Sequence, residues 1–317
     1  MPHKFNATRR HKFAKKQYRV TNRAEYNESL RQRGDLTIWI TGEALDLWIA
    51  PRRISRGGQS KYSDLAITTC LTLSVVYNLP LRQTQGLMRG IAKLIGRNIS
   101  VLDFSTLSRR SEGLNLPAKP QNKRTEPIHL VVDSTGLKVF GEGEWLQNKH
   151  QTKVKRKSWR KLHLGLNLLT GEIVCADLTV LPELLDQLDG TVSRFFADGA
   201  YDGAPTSDLL TARFGETVEI IIPPPKNATF SSLSTFAPTL RDRHIAGIQT
   251  LGRMGWQSSS GYNQRSRVET QMGRWKAVIG PKLKARSFKN QQTEAKIGVS
   301  ILNKMTELGR PKFEVVN

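Results

Sequence analysis

Three acidic residues lie where two strands and a helix could carry them to one place. Ile128–Asp133 (Ile-His-Leu-Val-Val-Asp) is a short, apolar, β-branched run that ends in a carboxylate. Arg194–Asp198 is another strand with the same ending, and Glu269 falls in the helical stretch Gly261–Lys276. If the strands ending at Asp133 and Asp198 are sheet neighbours, the two aspartates stand side by side. A helix packed across the sheet edge through Val268, Met272 and Trp275 then brings Glu269 to meet them. Three convergent carboxylates repel one another unless a cation sits between them, and hard oxygen ligands suit Mg²⁺ or Mn²⁺. Two such ions about 3.5–4 Å apart activate a nucleophile and stabilise the leaving oxygen of a phosphodiester. No His or Cys cluster competes for the metal, which argues against zinc. Asp133, Asp198 and Glu269 are therefore the candidate catalytic and metal-binding residues. Any one of them alone reads as a solvated strand end.

The stretch around Glu269 strengthens the set. Wound as an α-helix, Tyr262, Arg265, Glu269 and Lys276 fall within roughly a 60° arc. Val268, Met272, Trp275 and Ile279 form an apolar stripe beside them, fit to dock on a core. One carboxylate among cations is a poor way to stabilise a helix and a good way to hold a metal beside a phosphate.

Bulk composition points to the same kind of partner. A net charge of +22 over 317 residues favours a polyanion, and nucleic acid is the usual one. Lys149–Lys161 carries Lys153, Lys155, Arg156, Lys157 and Arg160 with Trp159 among them and no acid, a surface suited to tracking phosphates. Residues 1–33 form a basic N-terminal arm with interleaved aromatics, either a solvated tail or a DNA-contacting arm. Cys70 and Cys175 sit singly in apolar runs and read as small buried residues in a reducing compartment. With no run of 18 apolar residues and no secretory leader pattern, the expected setting is cytoplasmic and nucleoid-associated.

The elements that must position these residues can be read in order. Leu36–Ile49 suggests a strand-like piece and a short helix. Three helices follow: one after Ser63 as N-cap, one opened by Pro80 and stopped by Gly96, and one capped by Asp103 or Ser105 that carries Arg109 and Arg110. Short turns and a basic third helix suit a helix-turn-helix DNA-binding domain over 34–116, although a plain helical bundle fits as well. Residues 117–127 are polar and Pro-containing, a linker. From 128 the pattern is β-β-β-α-β-α-β, then a polar insertion over 226–260, then the Tyr262 helix, and a last helix from near Asn290. Residues 311–317 read as a tail. The class expected is α/β.

Residue by residue, this chain resembles bacterial insertion-sequence transposases of the DDE class, in particular those with a Tyr-x2-Arg-x3-Glu-x6-Lys signature. Tyr262, Arg265, Glu269 and Lys276 match that spacing at every position. Val131–Gly136 looks like the first aspartate block and Ala197–Asp202 like the second; Asp202 is near enough to be mistaken for the ligand, and the strand-end position favours Asp198. Tyr62–Ser74 and Ser105–Arg110 also look like the N-terminal part of one branch, so the likeness spans roughly residues 34–310. The resemblance implies a ribonuclease-H-like catalytic domain over 128–310 with a mixed sheet, and a pair of Mg²⁺ or Mn²⁺ ions on the three acids. It further implies that Tyr262, Arg265 and Lys276 grip transposon-end DNA, with target DNA as second partner and a homodimer on DNA. Relatives carry extra strands in the place of the 226–260 insertion. Competing readings are a non-catalytic, sequence-specific DNA-binding regulator, a recombinase with a covalent Tyr262 or serine link, and an inactive transposase copy.

Overall fold

The computed structural model describes residues 17–54, 56–96, 99–114, 116, 126–139, 159–232 and 234–316. In chain order the first elements are β1 (Gln17–Val20), α1 (Arg23–Gln32), α2 (Leu36–Trp39), α3 (Gly42–Asp46), α4 (Asp64–Val76), α5 (Leu81–Leu94) and α6 (Phe104–Arg110). Then come β2 (Ile128–Val139), β3 (Trp159–Asn167), β4 (Ile173–Asp177), α7 (Leu181–Leu185), β5 (Val192–Phe196), α8 (Ala204–Phe214) and β6 (Glu219–Ile221). The last are α9 (Leu240–Ser259), α10 (Ser266–Val278), β7 (Lys282–Leu283), α11 (Phe288–Leu308) and β8 (Phe313–Val316). The described residues divide into two compact units, one of residues up to Ile38 with those from Lys304 onward, the other Trp39–Asn303.

In the smaller unit β1 and β8 pair antiparallel, with Gln17 opposite Val316 and Val20 opposite Phe313. Two strands alone are marginal, and side chains reinforce these. Arg19 pairs with Glu314 at 2.8 Å, Tyr18 meets Phe313 edge-on, and the Asn22 side chain bonds the backbone at Arg310 and Lys312. Residues 17–32, read from sequence within a basic arm, thus hold a strand and a helix.

The helical part of the larger unit follows its caps. The Ser63 hydroxyl accepts from the Ala66 N–H at the start of α4, and Asp103 accepts from the Ser105 N–H at the start of α6. Pro80 precedes α5. The axes of α4 and α5 turn through 110°. Leu36–Trp39, expected to be strand-like, is a helical turn, started by Asp35, whose carboxylate accepts from the Thr37 N–H. Among the described residues no single helix is long and apolar enough to cross a membrane.

The sheet runs β4-β3-β2-β5-β6, with β7 also on β2. β2/β3 and β3/β4 are antiparallel, while β5, β6 and β7 run parallel to β2 and one another's neighbours. The strands beginning at Ile128 and Val192 are thus sheet neighbours, the condition on which the sequence reading of two adjacent aspartates depends. β2 is longer than that reading allows. Ser134, Thr135 and Gly136 continue the strand instead of turning, because β3 pairs with β2 as far as Lys138↔Trp159. On the other side of β2, β5 pairs only to Val131↔Phe196 and β7 begins only at Lys138↔Lys282. Between them β2 has no strand partner on that side among the described residues, and Asp133 falls in that gap.

Helices cover both faces. Alternation sends Leu130 and Val132 to one face, with Leu184, Leu185 and Leu210 of α7 and α8. Val131 goes to the other, with Val268, Met272 and Trp275 of α10 and Ala295 and Leu302 of α11. Leu130, Val131 and Val132 are all fully buried, as a strand sandwiched on both faces must be. The polar 226–260 stretch holds α9, a helix broken at Gly252, where the resemblance implied strands. It starts at a capping box, in which Thr239 and Asp242 bond each other's backbone N–H, and Asp242 also accepts from Ser231 N and Oγ.

Two outcomes test this packing. Gly298 of α11 lies against the buried Trp275 ring, and a Cβ there would run into it. Gly298→Ala should cost roughly 1–3 kcal/mol in urea unfolding; an unchanged midpoint would mean α10 and α11 are not seated this closely. The hydrogen bonds from Ser231 and Thr239 hold the Asp242 carboxyl well below its usual range. A depressed carboxylate contributes stability above its unfolded pKa and loses it as pH falls. Asp242→Ala should therefore lower the unfolding midpoint at pH 7, and its gap to wild type should narrow below about pH 4.

Candidate active site

Asp133 is 8% exposed, and by alternation it shares the face of Val131, which looks toward α10. Its Oδ1 accepts from the Ser134 N–H at 2.8 Å, and its Oδ2 accepts from Arg265 Nη1 at 2.7 Å. Asp198 lies two residues beyond β5, so the strand does not end in the carboxylate itself. It caps a short 3₁₀ turn, Gly199–Tyr201, by accepting from the Ala200 N–H at 3.1 Å. The neighbouring Asp202 is held by Arg241, whose Nε lies 3.1 Å from one carboxylate oxygen.

The Tyr262 stretch is a 3₁₀ turn, Tyr262–Arg265, that runs into α10 at Ser266, so the helix starts four residues later than a continuous winding predicts. The apolar stripe behaves as read: Val268, Met272 and Trp275 are buried and Ile279 packs on the same core. That anchoring leaves Glu269 on the open side with its side chain 55% exposed. Arg265 joins the two sides, one guanidinium nitrogen on Asp133 and the other in a short contact with the Glu269 carboxylate.

The electrostatics report how near the three acids are. Burial pushes the Asp133 carboxyl up; the Ser134 N–H and Arg265 pull it down, and the charges of Asp198 and Glu269 push it up further. The Tyr262 phenol is likewise raised by burial, against Arg265 and with help from Asp198, Asp133 and Glu269. All three acids therefore act on one small region. In donor chemistry this region suits a hard divalent cation: its acids offer carboxylate oxygens, and burial pushes the Cys70 thiol to about 12. The sequence reading expects a shared metal ion, whereas here the shared positive charge is the Arg265 guanidinium. Among the described residues no three His, Cys, Asp or Glu are drawn together tightly enough to cage an ion as they stand.

Tyr262 is held by residues the sequence reading passed over. Gly252 breaks α9 with φ of +70°. Unbroken, α9 would put His244 and Trp256 about 18 Å apart; folded back, Trp256 Nε1 donates to His244 Nδ1 at 3.2 Å. His244 Nε2 then donates to the Ile220 carbonyl at 2.8 Å, which fixes its neutral tautomer. The Trp256 ring packs on Tyr262 at 5.5 Å, and the Arg265 guanidinium lies 5.8 Å from the Tyr262 ring. Trp256 fell in the stretch treated as an insertion, and nothing in its local pattern marks it as core.

The other proposed DNA contacts are dispersed. Lys276 is exposed in the last turn of α10. Trp159 opens β3, 52% exposed, with Lys138 over its ring. Arg160 is spent on Gln291 and on the Phe288 ring. Arg110 is tied to Asp64 at 2.5 Å and to the Tyr62 carbonyl, whereas Arg109 is exposed. Lys153, Lys155, Arg156 and Lys157 lie outside the described residues.

Comparison with known proteins adds the family. A family model described as a transposase DDE domain matches residues 124–304, which span β2 to α11 and include all three acids. A second model with the same description matches residues 31–142. No solved structure matches this chain. A model covering more than half of the sequence, over the very segment that gathers the acids, places the chain among the transposases with a DDE domain.

Proposed function

We propose that this transposase binds the ends of an insertion sequence, cleaves a DNA strand there and transfers the freed end into target DNA, with Asp133, Asp198 and Glu269 as the acidic triad. The observation that carries the reading is the parallel β2–β5 pairing, which ends at Val131↔Phe196 and so leaves both aspartates just beyond it. Glu269 is linked to Asp133 through Arg265. The strand order β4-β3-β2-β5-β6, three antiparallel strands followed by two parallel ones, supports a ribonuclease-H-like domain. Engagement of Asp202 by Arg241 supports Asp198 as the second acid.

Divalent cations such as Mg²⁺ or Mn²⁺ on these carboxylates would activate the attacking oxygen and neutralise the leaving one. The chain's own residues then have distinct tasks. Asp133, nearly enclosed on β2, and Asp198, on its turn, would present oxygens from two elements; Glu269 would add one from the helix. For the acids to share a metal, Arg265 must leave Asp133, and its guanidinium is then free for a phosphate oxygen. Tyr262, backed by Trp256, and exposed Lys276 lie along the same run and complete the Tyr-x2-Arg-x3-Glu-x6-Lys grip on end DNA. An open pocket lined by Gln257, Tyr262, Arg265 and Glu269 gives the strand a place to lie. In cleavage a water oxygen bonds to phosphorus, the P–O3′ bond breaks and the 3′-oxygen takes a proton. In transfer that 3′-hydroxyl loses its proton as its oxygen bonds to a target phosphorus, the target's P–O3′ bond breaks and the departing 3′-oxygen takes a proton.

The 110° turn between α4 and α5, with exposed Arg109 on α6, supports a helix-turn-helix-like role in end recognition. A homodimer on paired ends and a nucleoid-associated setting belong to the same reading.

Asp133→Ala, Asp198→Ala and Glu269→Ala should each lower metal-dependent cleavage of end DNA by about 10³-fold or more. End-DNA affinity should stay within a few-fold of wild type. Undiminished cleavage by any one variant would remove that residue from the triad, and undiminished cleavage by all three would end the reading.

A further inference from the structure

Backbone pairing does not fix Asp198. The β2–β5 ladder stops at Phe196, and Asp198 stands on a short 3₁₀ turn with an intermediate exposure. What ties this turn to the sheet is its last residue. The Tyr201 hydroxyl lies 2.9 Å from Nδ1 of His163 on β3. Ser134 directly follows Asp133 and is the cross-strand partner of His163 in the β2–β3 register. One phenol therefore ties the turn to β3 at the level of Asp133, while the other end of its turn is Asp198.

The pair is built as a fixed strut. His163 is 9% exposed and meets the Tyr201 ring edge-on at 6.5 Å. The opposite neighbour of His163, Asp177, has its carboxylate filled by Leu178 N, Thr179 N and Oγ1, and Gln187 Nε2, so it does not draw the imidazole away from Tyr201. Burial lowers the imidazole and, aided by Asp198 and Asp133, raises the phenol to about 12, so both rings are neutral at ordinary pH. A neutral phenol beside two carboxylates adds no counter-charge. It can set distance and direction.

We propose that Tyr201, held by His163, is a positioning residue that sets the separation of Asp133 and Asp198 and thereby their affinity for a divalent cation. This rests on the triad reading above, and it assigns a function to two groups that the triad itself does not use.

Tyr201→Phe keeps the ring that packs on the core and removes only the hydroxyl, and His163→Gln attacks the strut from its other end. Mn²⁺ binding to the full chain is measured by electron paramagnetic resonance, beside the melting temperature and the Mn²⁺ concentration that half-saturates cleavage. Both variants should weaken Mn²⁺ binding roughly 10-fold or more, as loss of a group orienting metal ligands does. Melting temperatures should stay near wild type, and saturating Mn²⁺ should restore most of the cleavage rate. Wild-type Mn²⁺ affinity in Tyr201→Phe, or in His163→Gln if the first variant does not fold, overturns the proposal. So does a rate deficit that excess Mn²⁺ cannot relieve. Asp198→Ala separates the levels: if it too binds Mn²⁺ as wild type does, the triad reading fails; if it alone loses binding, only the strut fails.

Discussion

Repulsion among three carboxylates is the constraint on which the rest of this structure depends. Asp133 is nearly enclosed, which already disfavours its charge, and Asp198 and Glu269 add to that penalty. An uncompensated buried charge of this kind is costly enough to distort a fold. Arg265 compensates two of the three acids at once, and it can do so because a single turn connects it to Glu269. The acids are thus arranged so that a cation is always needed, and the residue now supplying it belongs to the run read as gripping DNA.

The frame serves that arrangement by leaving one part of a strand unpaired. β3 pairs with β2 from Leu130 to Lys138, yet among the described residues no strand pairs with its other side between Val131 and Lys138. Closing that gap with a longer β5 would pair the backbone at Asp133 and keep Asp198 within the strand. Instead β5 turns away at Phe196 and α10 lies over the opening, seated by Val268, Met272 and Trp275. Trp275 in turn needs the bare Cα of Gly298, so the position of Glu269 reaches back to a glycine on another helix. Stability and site geometry are the same contacts.

Much of this was legible in the sequence because it is local or periodic. Caps at Ser63 and Asp103 and the apolar stripe of α10 follow from residue chemistry over a few positions. The adjacency of the two aspartate strands followed only conditionally, since pairing order is not written in either strand. The length of β2 was misread because Ser-Thr-Gly has turn chemistry; pairing with β3 overrides that preference, as tertiary pairing does with weak propensities. Trp256 and His244 were invisible for a different reason. Their meeting depends on Gly252 folding α9 back on itself, and a glycine within a polar helix does not announce its φ. Arg265 shows the limit most clearly: its spacing from Glu269 is plain, but its bond to Asp133 joins residues 132 apart.

Anomalous diffraction from crystals grown with Mn²⁺ tests the central claim most directly. The account predicts a Mn²⁺ peak at direct carboxylate-ligand distance, about 2.0–2.2 Å, from both Asp133 and Asp198. The Arg265 guanidinium should then have withdrawn from Asp133. A Mn²⁺ peak elsewhere, with Arg265 still bridging Asp133 and Glu269 at saturating metal, would contradict it.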